Sequence, residues 1–188
     1  MLVDEQLLKM NGLSVKILDA LSFESHLESP LKKNLHYFDK DLLIDELVTM
    51  TEWLDEQEIL SGIALDYRIK SLDSILLKYN RYYPDHQTRK VFNDILGFRA
   101  FCDSYDQILK EKTSQFRIAD MTKGKAADDG YRGVHVYYQK SGRHYPIEIQ
   151  FNTLFDRQLN NWLHDYLYKR DYPMETGKIC IQTAYLIL

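Results

Sequence analysis

The chain is poor in several features that would mark a specialised class. Only two of its 188 residues are cysteine, Cys102 and Cys180. Two cysteines make no disulfide framework, and no Cys/His group has zinc-site spacing. Eight glycines and four prolines are too few for a collagenous or low-complexity chain. No run approaches the roughly 18 apolar residues of a membrane span. Met1 to Lys16 lacks a basic region followed by an apolar one, so no signal peptide is read. Positive charge is not in excess either. With 24 basic and 28 acidic side chains the net charge is −4, which excludes a uniformly basic nucleic-acid binder. No internal repeat is visible. The expectation is a soluble cytoplasmic protein with room for one core.

What is present is unevenly placed. Residues 1–65 carry 5 basic and 13 acidic side chains, residues 66–99 carry 7 and 4, and residues 100–188 carry 12 and 11. An acidic first third thus precedes a basic middle. Aromatics make up 13%, led by 14 tyrosines against 2 tryptophans.

Apolar spacing predicts a helical first third, broken at Ser29–Pro30. Leu42, Leu43, Leu47, Met50, Trp53 and Leu54 predict a long amphipathic helix ending near Gly62. A short strand is predicted over 63–70, then a helix capped by Ser71 with Leu72, Ile75, Leu76 and Tyr79 on one face. Strands are predicted over 96–102, 115–121, 131–139 and 145–151. Thr153 caps a last predicted helix reaching about Tyr168. Helices with a mixed sheet indicate an α/β or α+β core.

Four clusters carry candidate chemistry. In the first, Arg68 and Lys70 share one face of a strand, while Ser74 and Lys78 share one face of the following helix. That set suits a polyphosphate, with arginine as a fork and lysines as point charges, or else forms a solvated corner. The second is Asp94 with Arg99, which are either paired with each other or bound to a ligand. In the third, Asp129 to His135, Tyr131, Gly133 and His135 share a strand face, with Gly133 leaving a gap. A base stacking on Tyr131 is worth ~1–3 kcal/mol, and ordinary strand packing is the alternative. The fourth is Glu148 with Gln150 on the polar side of a strand. Glu148 and Asp94 suit Mg²⁺ against a triphosphate; a surface-facing strand is the alternative.

In order, these segments resemble the synthetase domain of the RelA/SpoT family, the alarmone synthetases. The carriers are Tyr-Arg-Ile-Lys-Ser-Leu-Asp-Ser-Ile-Leu-Leu-Lys (67–78), Asn-Asp-Ile-Leu-Gly-Phe-Arg (93–99) and Asp-Gly-Tyr-Arg-Gly-Val-His (129–135). Ile-Glu-Ile-Gln-Phe-Asn-Thr (147–153) and Leu-His-Asp-Tyr-Leu-Tyr-Lys (163–169) complete the set. The resemblance implies an α+β, nucleotidyltransferase-like mixed sheet flanked by helices. A helical segment over 1–62 would pack on a synthetase core over 63–188. It implies a pyrophosphokinase moving the β,γ-pyrophosphate of ATP to a ribose 3′-hydroxyl. Arg68, Lys70, Ser74, Lys78 and Arg99 would bind ATP. Asp94 and Glu148 would be catalytic and hold Mg²⁺, and Tyr131, His135, Gln150 and His164 would bind the acceptor.

The departures are informative. Tyr67 replaces the family's glycine, Asn152 its arginine, and Leu163 and Leu167 its glutamate and asparagine. Ala127–Asp128–Asp129 stands where the family has Lys-x-Asn, so two acids are expected to repel a 5′-polyphosphate acceptor. This pattern resembles the toxic small alarmone synthetases of toxin–antitoxin pairs, some of which modify the 3′-CCA end of tRNA and so block translation. The resemblance then implies a neutralising antitoxin, while the lack of a long apolar run predicts no membrane partner. Lys32, Lys33, Arg89, Lys90, Arg157 and Lys169 are the expected tRNA contacts. A (p)ppGpp synthetase using GDP or GTP is the alternative, and an inactive nucleotide-binding module is a third.

Overall fold

A computed structural model describes residues 8–110, 116–125, 128–167, 170, 172–173 and 175–187. Its elements are α1 (Val15–Ala20), a 3-10 turn (Leu35–Tyr37), α2 (Lys40–Asp55), α3 (Glu58–Ser61), β1 (Asp66–Ile69), α4 (Leu72–Tyr82) and α5 (Thr88–Val91). There follow β2 (Leu96–Phe101), α6 (Asp106–Leu109), β3 (Phe116–Asp120), β4 (Val134–Tyr138), β5 (Ile147–Asn152), α7 (Leu154–Tyr166) and α8 (Glu175–Ile187). No described helix is long and apolar enough to cross a membrane.

The five strands form one mixed sheet in the order β1-β2-β5-β4-β3, and the helices make this an α+β fold. β1 and β2 are antiparallel, with Asp66 opposite Arg99 and Ile69 opposite Leu96. β5 is the middle strand and is buried along nearly its whole length. That position overturns the surface-strand alternative for Glu148, which is buried.

The chain forms two compact units. One comprises Met1–Arg99, Thr113–Arg117 and Tyr137–Ile149; the other comprises Ala100–Lys112, Ile118–Val136 and Gln150–Leu188. Residues 1–62 fall within the first unit, together with β1 and α4.

In the first unit, α2 starts where Asp39 accepts hydrogen bonds from the Asp41 and Leu42 amides, both at 3.0 Å. It buries Leu43, Leu47, Met50 and Leu54. The helix ends at Asp55, short of Gly62, with Glu56 as its C-cap and no basic residue in its last turn. Acidic groups at a helix C-terminus oppose its dipole, and only the short α3 follows. In the second unit, α7 begins where predicted, with Thr153 Oγ1 accepting from the Asp156 amide at 3.2 Å. α8 buries Ile181 and leaves Ile179 and Leu186 exposed.

Glu46 organises the interior of the first unit. Its carboxylate accepts from Ser25 Oγ at 2.8 Å, the His26 amide at 2.6 Å and the Tyr145 hydroxyl at 2.7 Å. Tyr145 is fully buried, so no water replaces a lost partner. Glu46→Ala strands these donors and is expected to cost about 2–4 kcal/mol, whereas Tyr145→Phe costs about 1 kcal/mol. Urea unfolding checks this, and equal midpoint shifts for the two variants would contradict it.

Candidate active site

The antiparallel register of β1 and β2 sets the charged centre of the first unit. Lys70 follows β1 and donates its amide to the Ile95 carbonyl at 2.8 Å, which brings it beside Asp94 at the entrance to β2. Lys70 Nζ lies 2.8 Å from Asp94 Oδ2. From α4, Lys78 Nζ reaches Asp94 Oδ1 at 2.9 Å and donates to the Val91 carbonyl at 3.1 Å. One carboxylate therefore holds two ammonium groups. Lys70 is only 5% exposed. Burial lowers its pKa below that of an ordinary lysine, Asp94 pulls it partly back, and Lys78 and Arg68 push it down further.

This arrangement replaces an Asp94–Arg99 pair. Arg99 is exposed and lies 3.6 Å from Asp66. Arg68 is exposed on β1, opposite Gly97. Ser71 takes the cap position of α4, but its hydroxyl meets Ser74 Oγ at 3.0 Å instead of capping the helix.

Glu148 sits behind Gly97 of the neighbouring strand. A Cβ at position 97 would stand 3.5 Å from Glu148 Oε2. The Tyr137 hydroxyl is hydrogen-bonded to Glu148. Burial first, and then the Glu148 charge, push the Tyr137 phenol far above its ordinary pKa; Asp94 adds to this and Arg117 opposes it. The Arg117 guanidinium lies 4.0 Å from the Tyr137 ring centroid. Tyr137 and Arg117 were not among the expected site residues. The signal for Tyr137 was its place two residues beyond His135 on one strand face. Arg89, Lys90, Arg117, Tyr137 and Gln139 help line a cavity of about 220 Å³, which suits an anion. A cavity of about 520 Å³ elsewhere in this unit, lined by Phe23, Phe38 and Leu42, contains none of the expected site residues.

Asp94 and Glu148 are carboxylates of the kind that offers oxygens to a divalent ion beside phosphate and water, and here each Asp94 oxygen faces an ammonium group, Lys70 or Lys78. Among the described residues no group of three or more Asp, Glu, His or Cys gathers, so these side chains alone do not enclose a metal.

Four of the expected tRNA contacts come together in the first unit. The Thr88 amide donates to the Lys33 carbonyl at 3.0 Å, and the Arg89 amide to the Leu31 carbonyl at 2.9 Å. Lys32–Lys33 and Arg89–Lys90 thus meet on paired backbone. Lys33 Nζ lies 4.9 Å from the Tyr37 ring centroid.

The second unit carries the acceptor candidates. Tyr131 and Gly133 lie ahead of β4, which begins at Val134. The Tyr131 hydroxyl and His135 Nε2 are 2.7 Å apart and the rings are edge-on. Gly133 leaves no gap between them, because a Cβ there would come within 2.8 Å of Tyr131 Oη and 2.6 Å of Asn152 Nδ2. Asn152 and Asn160 each donate to the Arg132 carbonyl, at 2.8 and 2.7 Å. Asp128 forms a two-pronged pair with Arg132 at 2.7 and 3.1 Å, and Asp129 meets Lys125 at 2.8 Å. These carboxylates are already paired, so free negative charge repelling a phosphate is not what they present. Glycine is required at 130, where φ is +91° and a Cβ would collide with the Gly177 carbonyl of α8.

Other expected residues lie apart. Arg157 is buried, 5.3 Å from the Phe101 ring centroid and donating toward the Ala100 and Gln150 carbonyls at 3.4 Å. It is therefore no exposed phosphate contact. His164 is exposed, with Asp165 at 3.1 Å, and Gln150 is half-buried. Lys169 lies outside the described residues.

A family model described as the region found in RelA / SpoT proteins matches residues 67–172. No protein of curated function matches the chain in sequence. Solved structures do. Small alarmone synthetase 1 from Bacillus subtilis, bound to its product pppGpp, is 24% identical, with 76% of this chain and 85% of that one covered and a TM-score of 0.46. Small alarmone synthetase 2 from Bacillus subtilis is 21% identical, covering 80% and 94%, also at 0.46. A GTP pyrophosphokinase family protein from Streptococcus pneumoniae is 24% identical, covering 77% and 82%, at 0.42.

Lys70 releases its proton at lower pH than a free lysine, so a polyphosphate held by its ammonium loses that partner early. ATP affinity is expected to fall as pH rises from neutrality toward 10.5. Lys70→Arg, charged throughout, is expected to lack that part of the loss. Calorimetric titration across this range checks it; parallel curves for the two proteins would refute the assignment.

Proposed function

The chain belongs to the RelA/SpoT family and is a pyrophosphokinase of that type, and from this premise we propose that its acceptor is the 3′-CCA end of a tRNA. The protein would then act as a translation-inhibiting toxin with a neutralising antitoxin. The observation that carries this reading is the basic corner, where Lys32–Lys33 of the acidic first third are joined by backbone to Arg89–Lys90. Arg89 and Lys90 also border the Arg117–Tyr137 cavity, but Lys32 and Lys33 are not among its lining residues, so a free mononucleotide leaves them without a role. A nucleic-acid backbone gives them one.

In this reading Arg68, Lys70, Ser74, Lys78 and Arg99 hold ATP, and the Arg117–Tyr137 cavity adds a place for phosphate oxygens. Asp94 and Glu148 would hold Mg²⁺, which would supply positive charge against the transferring group. Glu148 accepts the proton of the attacking 3′-hydroxyl. The new bond joins the 3′-oxygen to the β-phosphorus of ATP. The bond between that phosphorus and the α,β-bridging oxygen breaks, and AMP leaves with the bridging oxygen. Tyr137, protonated throughout, keeps the Glu148 carboxylate in one orientation. Pyrophosphoryl transfer relies on positioning and electrostatics more than on a special nucleophile, and this set of residues supplies both. Tyr131 offers a ring for the acceptor base, with His135 fixing its hydroxyl.

With ATP labelled in the γ-position, transfer to purified tRNA is expected, with little to GDP. Glu148→Gln should lose about 100-fold or more of the rate, in line with removal of a general base. Label reaching only GDP would refute the tRNA acceptor. Lys32→Glu with Lys33→Glu is expected to weaken tRNA use about tenfold at low salt and to leave ATP affinity intact. An unchanged KM for tRNA would remove the basic corner from the reading.

A further inference from the structure

Two carboxylates in the acceptor loop do something that a sequence motif alone does not reveal. Asp128 takes the Arg132 guanidinium in a two-pronged pair, with side chains only 16% and 8% exposed. Arg132 Nη1 also donates to the Tyr131 carbonyl at 2.9 Å. Arg132 lowers the Asp128 pKa below the usual carboxylate range by its hydrogen bonds, against the effect of burial. Asp129 takes Lys125 at 2.8 Å, and Lys125 Nζ lies 4.8 Å from the Tyr131 ring centroid. Asp129 Oδ1 also accepts the Tyr131 amide at 3.1 Å. Arg132 and Lys125, which lie against Tyr131, are therefore paired with acids of the same loop.

We propose that Asp128 and Asp129 form an acceptor filter. They occupy Lys125 and Arg132, so that a nucleoside bearing a free 5′-di- or triphosphate finds the cations against Tyr131 already taken. An acceptor nucleoside without a free polyphosphate, such as the end of a polynucleotide, pays no such penalty. Selectivity arises because Lys125 and Arg132, the cations against Tyr131, already have partners, and a phosphate must displace those partners to bind there. The inference rests on reading Tyr131 as the acceptor ring, and Asp129 is its accessible test point. Asp129→Asn keeps an oxygen for the Tyr131 amide and removes the charge that holds Lys125.

The probe is a fluorescent GDP, titrated without turnover, followed by label transfer from ATP to GDP. Asp129→Asn is expected to bind GDP about tenfold more tightly than the unaltered protein and to label it faster. Adding Lys125→Ala is expected to abolish the gain, because Lys125 is the cation set free. Asp129→Ser, which also keeps an oxygen acceptor, serves if the asparagine variant does not fold. Unchanged GDP affinity in a folded variant, or a gain that survives Lys125→Ala, overturns the filter. GDP affinity is read independently of tRNA, so failure of transfer to tRNA refutes that acceptor and leaves the filter standing. Conversely, tRNA labelling with no GDP gain refutes the filter alone.

Discussion

The charged centre depends on one carboxylate shared by two lysines. Asp94 is held by Lys70 from the end of β1 and by Lys78 from α4. An ammonium as buried as that of Lys70 is costly without a partner, and one oxygen of Asp94 supplies it. The other oxygen fixes the second ammonium and so ties α4 to the entrance of β2. Strand register, helix position and positive charge are thus set together. Asp94 is thus an internal anion that keeps two ammonium groups in fixed positions.

Parts of this were legible in the sequence. Apolar spacing at three and four residues marks α2 and α4, because a buried helical face imposes that period. Thr153 is legible as a cap because its hydroxyl acts within one turn. The end of α2 was less visible, since spacing continues past Asp55 while the acidic turn does not suit a helix end. The sharing of Asp94 was hidden. It joins residues 24 and 16 positions apart, and only the β1–β2 register brings them together. Arg157 misled for a related reason. A basic residue on an amphipathic helix reads as exposed until the carbonyls of Ala100 and Gln150 are known to lie beside it.

The second unit uses carboxylates differently. Asp156 is buried, accepts from the Tyr105 hydroxyl at 2.6 Å and from Thr153 Oγ1 at 3.0 Å, and is also bonded by the Tyr185 hydroxyl of α8. Tyr105 and Tyr185 are pushed above their ordinary pKa, first by burial and then by Asp156, so both remain donors at any physiological pH. In the first unit, Tyr145 serves Glu46 and Tyr137 serves Glu148 in the same way. The abundance of tyrosine thus has a physical use. A phenol satisfies a buried carboxylate with one strong hydrogen bond and adds no charge.

The pairing of residues 31–33 with 87–89 runs through carbonyls and amides, joined by the Thr88 hydroxyl, which donates to the Lys33 carbonyl at 3.2 Å. Such bonds are indifferent to what stands at positions 32, 33, 89 and 90. Natural variation is therefore free to raise, lower or invert the charge of this corner one codon at a time while the scaffold stays folded. The charge displayed at this corner and the fold beneath it are therefore set by different atoms.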